Sequence, residues 1–151
     1  MVASSKGPVT VDASVFVRAA NPGEQGSETC SALLRGLGRD AVAVVLPTLL
    51  VVELAGVLGR RLLPQTDVEA ILGRVTSMPG VTFLPLDAAM AGEAAEIALS
   101  APMRGPDAVY VAAARRYGAM LITVDEQQRR RVPQGMEAVS PEEALSRLGR
   151  H

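Results

Sequence analysis

The sequence predicts a three-layer α/β/α protein with a mostly parallel central sheet. Short apolar segments rich in β-branched residues alternate with longer segments of helical spacing along the chain. The strand-like segments are apolar throughout, which is typical of parallel strands covered by helices on both faces. At 151 residues the chain has the size of one domain with its own core, so we expect a single domain over residues 1–151.

The first elements are a strand and two helices. Val9–Val11 is a short apolar strand that ends at Asp12. Residues 13–20 have helical spacing, and the Asn-Pro-Gly sequence of residues 21–23 breaks that helix. A second helix is predicted over residues 27–37.

The next segment combines a strand with an apolar helix. Residues 41–46 are β-branched and apolar, and Pro47 suits the first position of a helix that Pro64 would end. Glu53 is the only charged residue between positions 41 and 59, so this segment superficially resembles a membrane span. We expect no span, because Pro47 divides the segment and a glutamate within a membrane would be costly.

The middle of the chain continues the alternation. Thr66 has the capping-box spacing to Glu69, which predicts that a helix begins there. Residues 81–86 are predicted to form the third strand. Asp87 then caps an alanine-rich helix that runs to Ser100.

The last third contains two more strands. A helix is predicted over residues 106–117, with Gly118 as its C-terminal cap. Residues 119–124 form the fourth strand and residues 136–139 the fifth. Ser140 opens the final helix, since proline and acidic residues follow it in the order of a helix N-terminus.

Four carboxylates lie in segments that are otherwise apolar, where an unpaired charge is costly to bury: Asp12, Glu53, Asp107 and Asp125. Asp12 and Asp125 each follow a predicted strand, and ligands of open α/β sheets bind beyond the carboxyl ends of the strands. Both aspartates also have the position of helix N-caps, so capping stays open as an alternative. Asp87 follows a strand too, but we leave it outside the site because capping explains it.

Together these acids predict a site for a hard divalent cation. Neighbouring carboxylates repel each other, and a dication relieves that repulsion. Oxygen ligands without soft donors suit Mg²⁺ or Mn²⁺. His151 is the only histidine and Cys30 the only cysteine, which excludes histidine-based triads and His/Cys zinc sites within the chain. Hydrolysis by a metal-activated water, as in phosphodiester cleavage, is the chemistry that remains.

Other functions of α/β proteins lack their motifs. There is no Gly-x-Gly-x-x-Gly sequence after a strand and no Walker A sequence. Phosphoaspartate receivers and haloacid-dehalogenase-type phosphatases would share the strand-end Asp12, but they use a late lysine and the only lysine here is Lys6. The net charge of −1 gives no global attraction to nucleic acid, which arginine clusters would have to bind locally. We expect Tyr110 to lie in the core.

Composition also bears on assembly and compartment. Hydrophobic residues make up 48% of the chain, which favours self-association as a dimer. The single cysteine fits a reducing cytoplasm, and the first residues lack the apolar stretch of a secretory signal.

Four segments of the sequence, taken in order, resemble a PIN-domain ribonuclease of the VapC toxin type. They are Val-Asp12-Ala-Ser-Val-Phe-Val, Pro-Thr-Leu-Leu-Val-Val-Glu53-Leu, Arg104-Gly-Pro-Asp107-Ala-Val-Tyr-Val-Ala-Ala-Ala and Ile-Thr123-Val-Asp125. The resemblance implies a PIN-like fold in which an acidic quartet, Asp12, Glu53, Asp107 and Asp125, binds Mg²⁺ or Mn²⁺ and is catalytic. It also implies supporting roles for Ser14, Thr123 and Arg104.

The same resemblance implies an endoribonuclease that is the toxin of a type II toxin–antitoxin pair. Its partners would be an RNA substrate, a cognate antitoxin protein and a second copy of the chain. One alternative is a catalytically silent PIN scaffold that binds RNA or a protein. Another is a PIN nuclease that acts on ribosomal RNA maturation or DNA without an antitoxin.

Overall fold

The computed structural model of the chain describes residues 6–61 and 63–149. Its strands are β1 (Val9–Val11), β2 (Val44–Pro47), β3 (Val81–Leu84), β4 (Met120–Ile122) and β5 (Ala138–Val139). The helices within these residues are α1 (Ala13–Ala19), α2 (Ser27–Arg39), α3 (Leu49–Arg60), α4 (Gln65–Thr76), α5 (Ala88–Ser100), α6 (Gly105–Tyr117), α7 (Glu126–Arg131) and α8 (Pro141–Leu148). The first five residues and His151, on which sequence expectations also rested, lie outside the described residues.

The strands form one parallel sheet in the order β3-β2-β1-β4-β5. Every residue of β1 and β2 is buried, as expected for the central strands of a covered sheet. Helix α6 packs on β1, β2 and β4 and against α5, while α2 packs against α1 and α8. The predicted α/β class with a parallel central sheet is therefore confirmed.

One edge of this sheet collects the parts of the chain that carry the predicted acids. The carboxyl ends of parallel strands lie at the same edge, and α1 and α3 begin there, directly after β1 and β2. Helix α6 ends at Gly118, whose φ of 59° is the left-handed conformation of a C-terminal cap, just before β4 begins. The N-terminus of α6 therefore lies at the opposite end of β4, near the carboxyl edge of the sheet.

Several predicted helix caps are confirmed. The carboxylate of Asp87 accepts a hydrogen bond from the backbone N–H of Met90 at 2.9 Å and so caps α5. Ser140 and Glu143 form a complete capping box at the start of α8. The expected cap at Thr66 is wrong, since α4 already begins at Gln65 after Pro64 and has no side-chain cap.

Pro47 does not start α3, as its sequence position had suggested, but is the last residue of β2. It is paired in register with Leu84 of β3, and α3 begins at Leu49. A proline is tolerated there because the neighbouring β1 has already ended at this level, so no ladder hydrogen bond is lost on that side.

Strand β4 is shorter than predicted, so Asp125 does not directly end it. The last pair of β4 with β1 joins Ile122 to Val11, and the next residue of β1, Asp12, already turns into α1. Val124 therefore has no strand partner on that side, and its N–H donates to the hydroxyl of Ser14 at 3.4 Å.

Among the described residues, no helix is long and apolar enough to cross a membrane.

Candidate active site

Asp12 is buried directly beyond β1, with only 5% of its surface exposed. Its Oδ2 accepts a hydrogen bond from the backbone N–H of Ser14 at 2.9 Å, so it caps α1. Its Oδ1 accepts a hydrogen bond from Nε2 of Gln128 at 3.3 Å. Burial is the main reason that the pKa of Asp12 is raised, and the charge of Asp107 raises it further against the lowering effect of these hydrogen bonds.

Glu53 is half-buried in the second turn of α3. The hydroxyl of Tyr110, a fully buried residue of α6, donates to its Oε1 at 2.7 Å. Burial raises the pKa of Glu53, the hydrogen bond from Tyr110 lowers it, and the charges of Asp12 and Asp107 raise it again. Tyr110 thus lies in the core as expected, and its hydroxyl anchors an acid of the predicted site.

Asp107 lies in the first turn of α6 and is 9% exposed. Arg104 donates two hydrogen bonds to its carboxylate, from Nε to Oδ2 at 3.0 Å and from Nη2 to Oδ1 at 3.3 Å. This contact with Asp107 is the main reason that the pKa of Arg104 is raised, and the charges of Asp125 and Asp12 raise it further. The guanidinium of Arg104 is therefore a positive charge that the chain itself places among the acids.

Asp125 lies in the loop beyond β4 and caps α7. Its Oδ1 accepts hydrogen bonds from the backbone N–H groups of Gln127 at 2.9 Å and Gln128 at 3.2 Å. Its own N–H donates to Oγ1 of Thr123 at 3.1 Å, and that hydroxyl lies 3.3 Å from the hydroxyl of Ser14. Two hydroxyl groups thus join this loop to the start of α1.

Two further residues contact the site, and sequence reasoning assigned neither of them a place in it. Gln128 is 2% exposed, and its Nε2 donates both to Asp12 and to the backbone carbonyl of Asp107 at 3.3 Å. Arg129 donates from Nη1 to the carbonyl of Thr123 at 2.7 Å. Residues 126–131 are all polar or charged and so resemble a solvated helix. The one signal for Gln128 is that it lies three positions after a capping aspartate.

The structure brings the four predicted acids to one edge of the sheet. The charge of Asp107 raises the pKa of Asp12, the charges of Asp12 and Asp107 raise the pKa of Glu53, and the charges of Asp107, Asp125 and Asp12 raise the pKa of Arg104. Within residues 6–61 and 63–149, however, no three acidic, cysteine or histidine side chains are placed so that they could hold one metal ion together. The donors fit a hard divalent cation in their chemistry, since they are all oxygens carrying excess negative charge, but their present placement leaves them apart.

Comparison with known proteins connects this geometry to one family. A sequence model described as the PIN domain matches residues 9–132. Comparison with curated proteins finds no match.

Several solved structures share the fold. The structure of PAE2754 from Pyrobaculum aerophilum is 19% identical, with a TM-score of 0.71, over 96% of this chain and 91% of that one. VapBC2 from Rickettsia felis, bound to a DNA fragment from its promoter, is 13% identical with a TM-score of 0.66, over 88% of this chain and 98% of that one. VapC20 from Mycobacterium tuberculosis, a toxin that cleaves the sarcin-ricin loop, is 17% identical with a TM-score of 0.60, over 75% of this chain and 86% of that one.

Proposed function

The chain belongs to the PIN-domain family, and we propose that it is a metal-dependent endoribonuclease that hydrolyses RNA phosphodiesters. The observation that carries this proposal is that four acids from distant segments lie at one sheet edge, where burial and the charges of neighbouring acids raise the pKa of Asp12 and Glu53. A protein retains such a charge cluster at a cost to its stability, which a bound cation would offset.

In this proposal Asp12, Glu53, Asp107 and Asp125 hold Mg²⁺ or Mn²⁺. When bound, such an ion would supply a water of lowered pKa and a positive charge for the developing phosphate oxygens. The chain's own residues orient these ligands. The capping hydrogen bonds at Asp12 and Asp125 fix two carboxylates, and the hydroxyl of Tyr110 fixes Glu53.

Ser14, Thr123 and Arg104 have supporting roles. The hydroxyls of Ser14 and Thr123 hold the backbone at Val124 and Asp125, which places the fourth acid. The side chain of Arg104 is 78% exposed and carries a guanidinium fork that matches a phosphate group. Once it leaves Asp107, it is available to bind the backbone of an RNA substrate.

We further propose that the protein is the toxin of a type II toxin–antitoxin pair. Similar structures include a VapBC complex with promoter DNA and a VapC toxin that cleaves the sarcin-ricin loop. The partners would then be a cognate antitoxin and a structured RNA. A homodimer, expected from the hydrophobic composition, stays a prediction that size measurement in solution can test.

A catalytically silent PIN scaffold that binds RNA or a protein is the second candidate. It is favoured by the contact between Arg104 and Asp107, which engages both oxygens of one acid, and by the separation of the carboxylates. In such a protein the acids would be balanced by Arg104 and would not bind a metal.

Cleavage assays separate the two candidates. The purified chain should cleave RNA with Mg²⁺ or Mn²⁺ and stop when a chelator is added. Asp12→Asn should abolish cleavage, whereas Asp67→Asn, at an exposed aspartate in the first turn of α4, should not. Cleavage that survives both the chelator and Asp12→Asn would refute the proposed mechanism.

Induced expression provides a cellular test. The wild-type chain should arrest growth, and Asp107→Asn should relieve the arrest. Equal arrest by both proteins would favour the silent scaffold. Co-expression with the product of a short neighbouring reading frame should restore growth if that frame encodes the antitoxin.

A further inference from the structure

Gln128 is a buried amide in contact with two acidic residues of the site. It lies on the six-residue helix α7, whose other side chains are exposed or half-buried. Its Nε2 lies 3.3 Å from Oδ1 of Asp12 and 3.3 Å from the backbone carbonyl of Asp107. A single amide nitrogen therefore connects β1, α6 and α7 at the carboxyl edge of the sheet.

The orientation of this amide is determined by its neighbours. Both neighbours of Nε2 are oxygens that can only accept hydrogen bonds when Asp12 is ionised. Turning the amide over would place Oε1 against these two oxygens and lose both hydrogen bonds. The nitrogen must therefore face Asp12 and Asp107, which leaves the oxygen to find another donor.

Oε1 of Gln128 is buried and has no hydrogen-bond partner among the residues that the structure describes. Most buried side-chain polar atoms in folded proteins have a hydrogen-bond partner, and a bound water molecule or ion is one explanation for those without a partner in the protein. At this position the candidate is a water molecule, because a buried amide oxygen beside a charged site is a good acceptor for one.

We propose that Gln128 is a positioning residue of the metal centre. Its nitrogen holds Asp12 in a fixed orientation relative to α6, and its buried oxygen would accept a hydrogen bond from a water molecule when a cation occupies the site. This inference rests on the proposed function, since it requires a cation at the four acids. Gln128 does not touch the reacting atoms in this role and acts through Asp12 and the water.

The test measures Mn²⁺ binding to the full chain without RNA, so that its readout does not depend on activity. Gln128→Met keeps the approximate volume of the side chain but removes the donor and the acceptor. Gln127→Met is the matched control, because Gln127 is the preceding residue of the same helix and its side chain is exposed. Calorimetric titration gives the dissociation constant, and thermal unfolding of the metal-free proteins reports their stability.

We expect Gln128→Met to weaken Mn²⁺ binding about 10-fold or more, as is usual when a group that orients a metal ligand is lost. Gln127→Met should bind Mn²⁺ like the wild type. If Gln128→Met lowers the melting temperature but leaves Mn²⁺ affinity unchanged, Gln128 is only a structural residue and the inference is wrong. Equal weakening in both variants would also overturn it.

Gln128→Glu keeps the test decisive if the methionine variant does not fold. The new carboxylate has the same length but repels Asp12 in the metal-free protein, and a nearby cation would neutralise both groups. Mn²⁺ should therefore raise the melting temperature of Gln128→Glu by more than that of the wild type. An equal or smaller rise contradicts the inference. A wild-type chain that binds neither Mn²⁺ nor Mg²⁺ would instead refute the proposed function itself.

Discussion

Replacing Arg104 with methionine should tighten Mn²⁺ binding, because this arginine and the cation compete for Asp107. The guanidinium contacts both carboxylate oxygens, at 3.0 Å and 3.3 Å. The side chain of Arg104 is 78% exposed and that of Asp107 12% exposed, so solvent screens the pair from one side. A screened pair of this kind contributes up to about 1 kcal/mol. Releasing Asp107 should then tighten Mn²⁺ binding by up to about fivefold.

The assay is calorimetric titration of Mn²⁺ into the metal-free protein at two salt concentrations. The gain from Arg104→Met should be largest at about 0.01 M salt and should disappear near 1 M, where the screening length falls to about 3 Å. Arg115→Met is the control, since Arg115 is an exposed arginine in the last turn of the same helix. Unchanged or weaker Mn²⁺ binding by Arg104→Met at low salt would refute the competition between arginine and metal.

Three further substitutions or reactions test the surroundings of the site and the core. Tyr110→Phe removes the donor to Glu53 and should lower the free energy of unfolding by about 1–2 kcal/mol at neutral pH. Because the lost hydrogen bond lowers the pKa of Glu53, this destabilisation should shrink as the pH falls and Glu53 becomes protonated, which denaturant titrations across pH will show. Thr123→Val leaves the backbone N–H of Asp125 without its acceptor and should cost about 1–3 kcal/mol, with Mn²⁺ affinity falling at least about 10-fold in the same preparation. Burial raises the pKa of the Cys30 thiol to about 11, so alkylation at pH 8 should be slow in the folded chain and fast in denaturant. The raised pKa of Cys30 also predicts that folding stability declines as the pH rises from about 9 towards 11. A thiol that reacts rapidly in the folded chain would contradict the raised pKa.

The sequence predicted those features that local chemistry determines. Some features depend only on residues within a few positions of one another. These are the uninterrupted apolar strands, the caps at Asp87 and Ser140 and the helix cap at Gly118. The same kind of local signal misled at Pro47. A proline is suited to the first turn of a helix and also to the end of a strand where no neighbouring strand needs its N–H. The position at which β1 ends decides between the two, and residue 47 alone does not show it.

Contacts between distant segments could not be predicted in the same way. Gln128 and Asp12 lie 116 positions apart, and an amide in a run of polar residues resembles a solvated one until the sheet brings α7 against β1. The early end of β4 could not be predicted for the same reason. Strand β4 ends where the neighbouring β1 turns into α1 at Asp12, and residues 119–124 carry no information about that turn.

The cap and metal-ligand interpretations of the strand-end aspartates are compatible in the structure. Asp12 caps α1 through Oδ2, and Asp125 caps α7 through Oδ1, so each cap engages one oxygen of its carboxylate. A capping hydrogen bond also orients the carboxylate, which lowers the entropy that a ligand must lose when it binds a cation. Asparagine caps helices about as well as aspartate but lacks the charge. Asp12→Asn therefore removes the negative charge while it keeps the start of α1, and a loss of metal binding in a variant that melts at or above the wild-type temperature would assign the two roles to the same side chain.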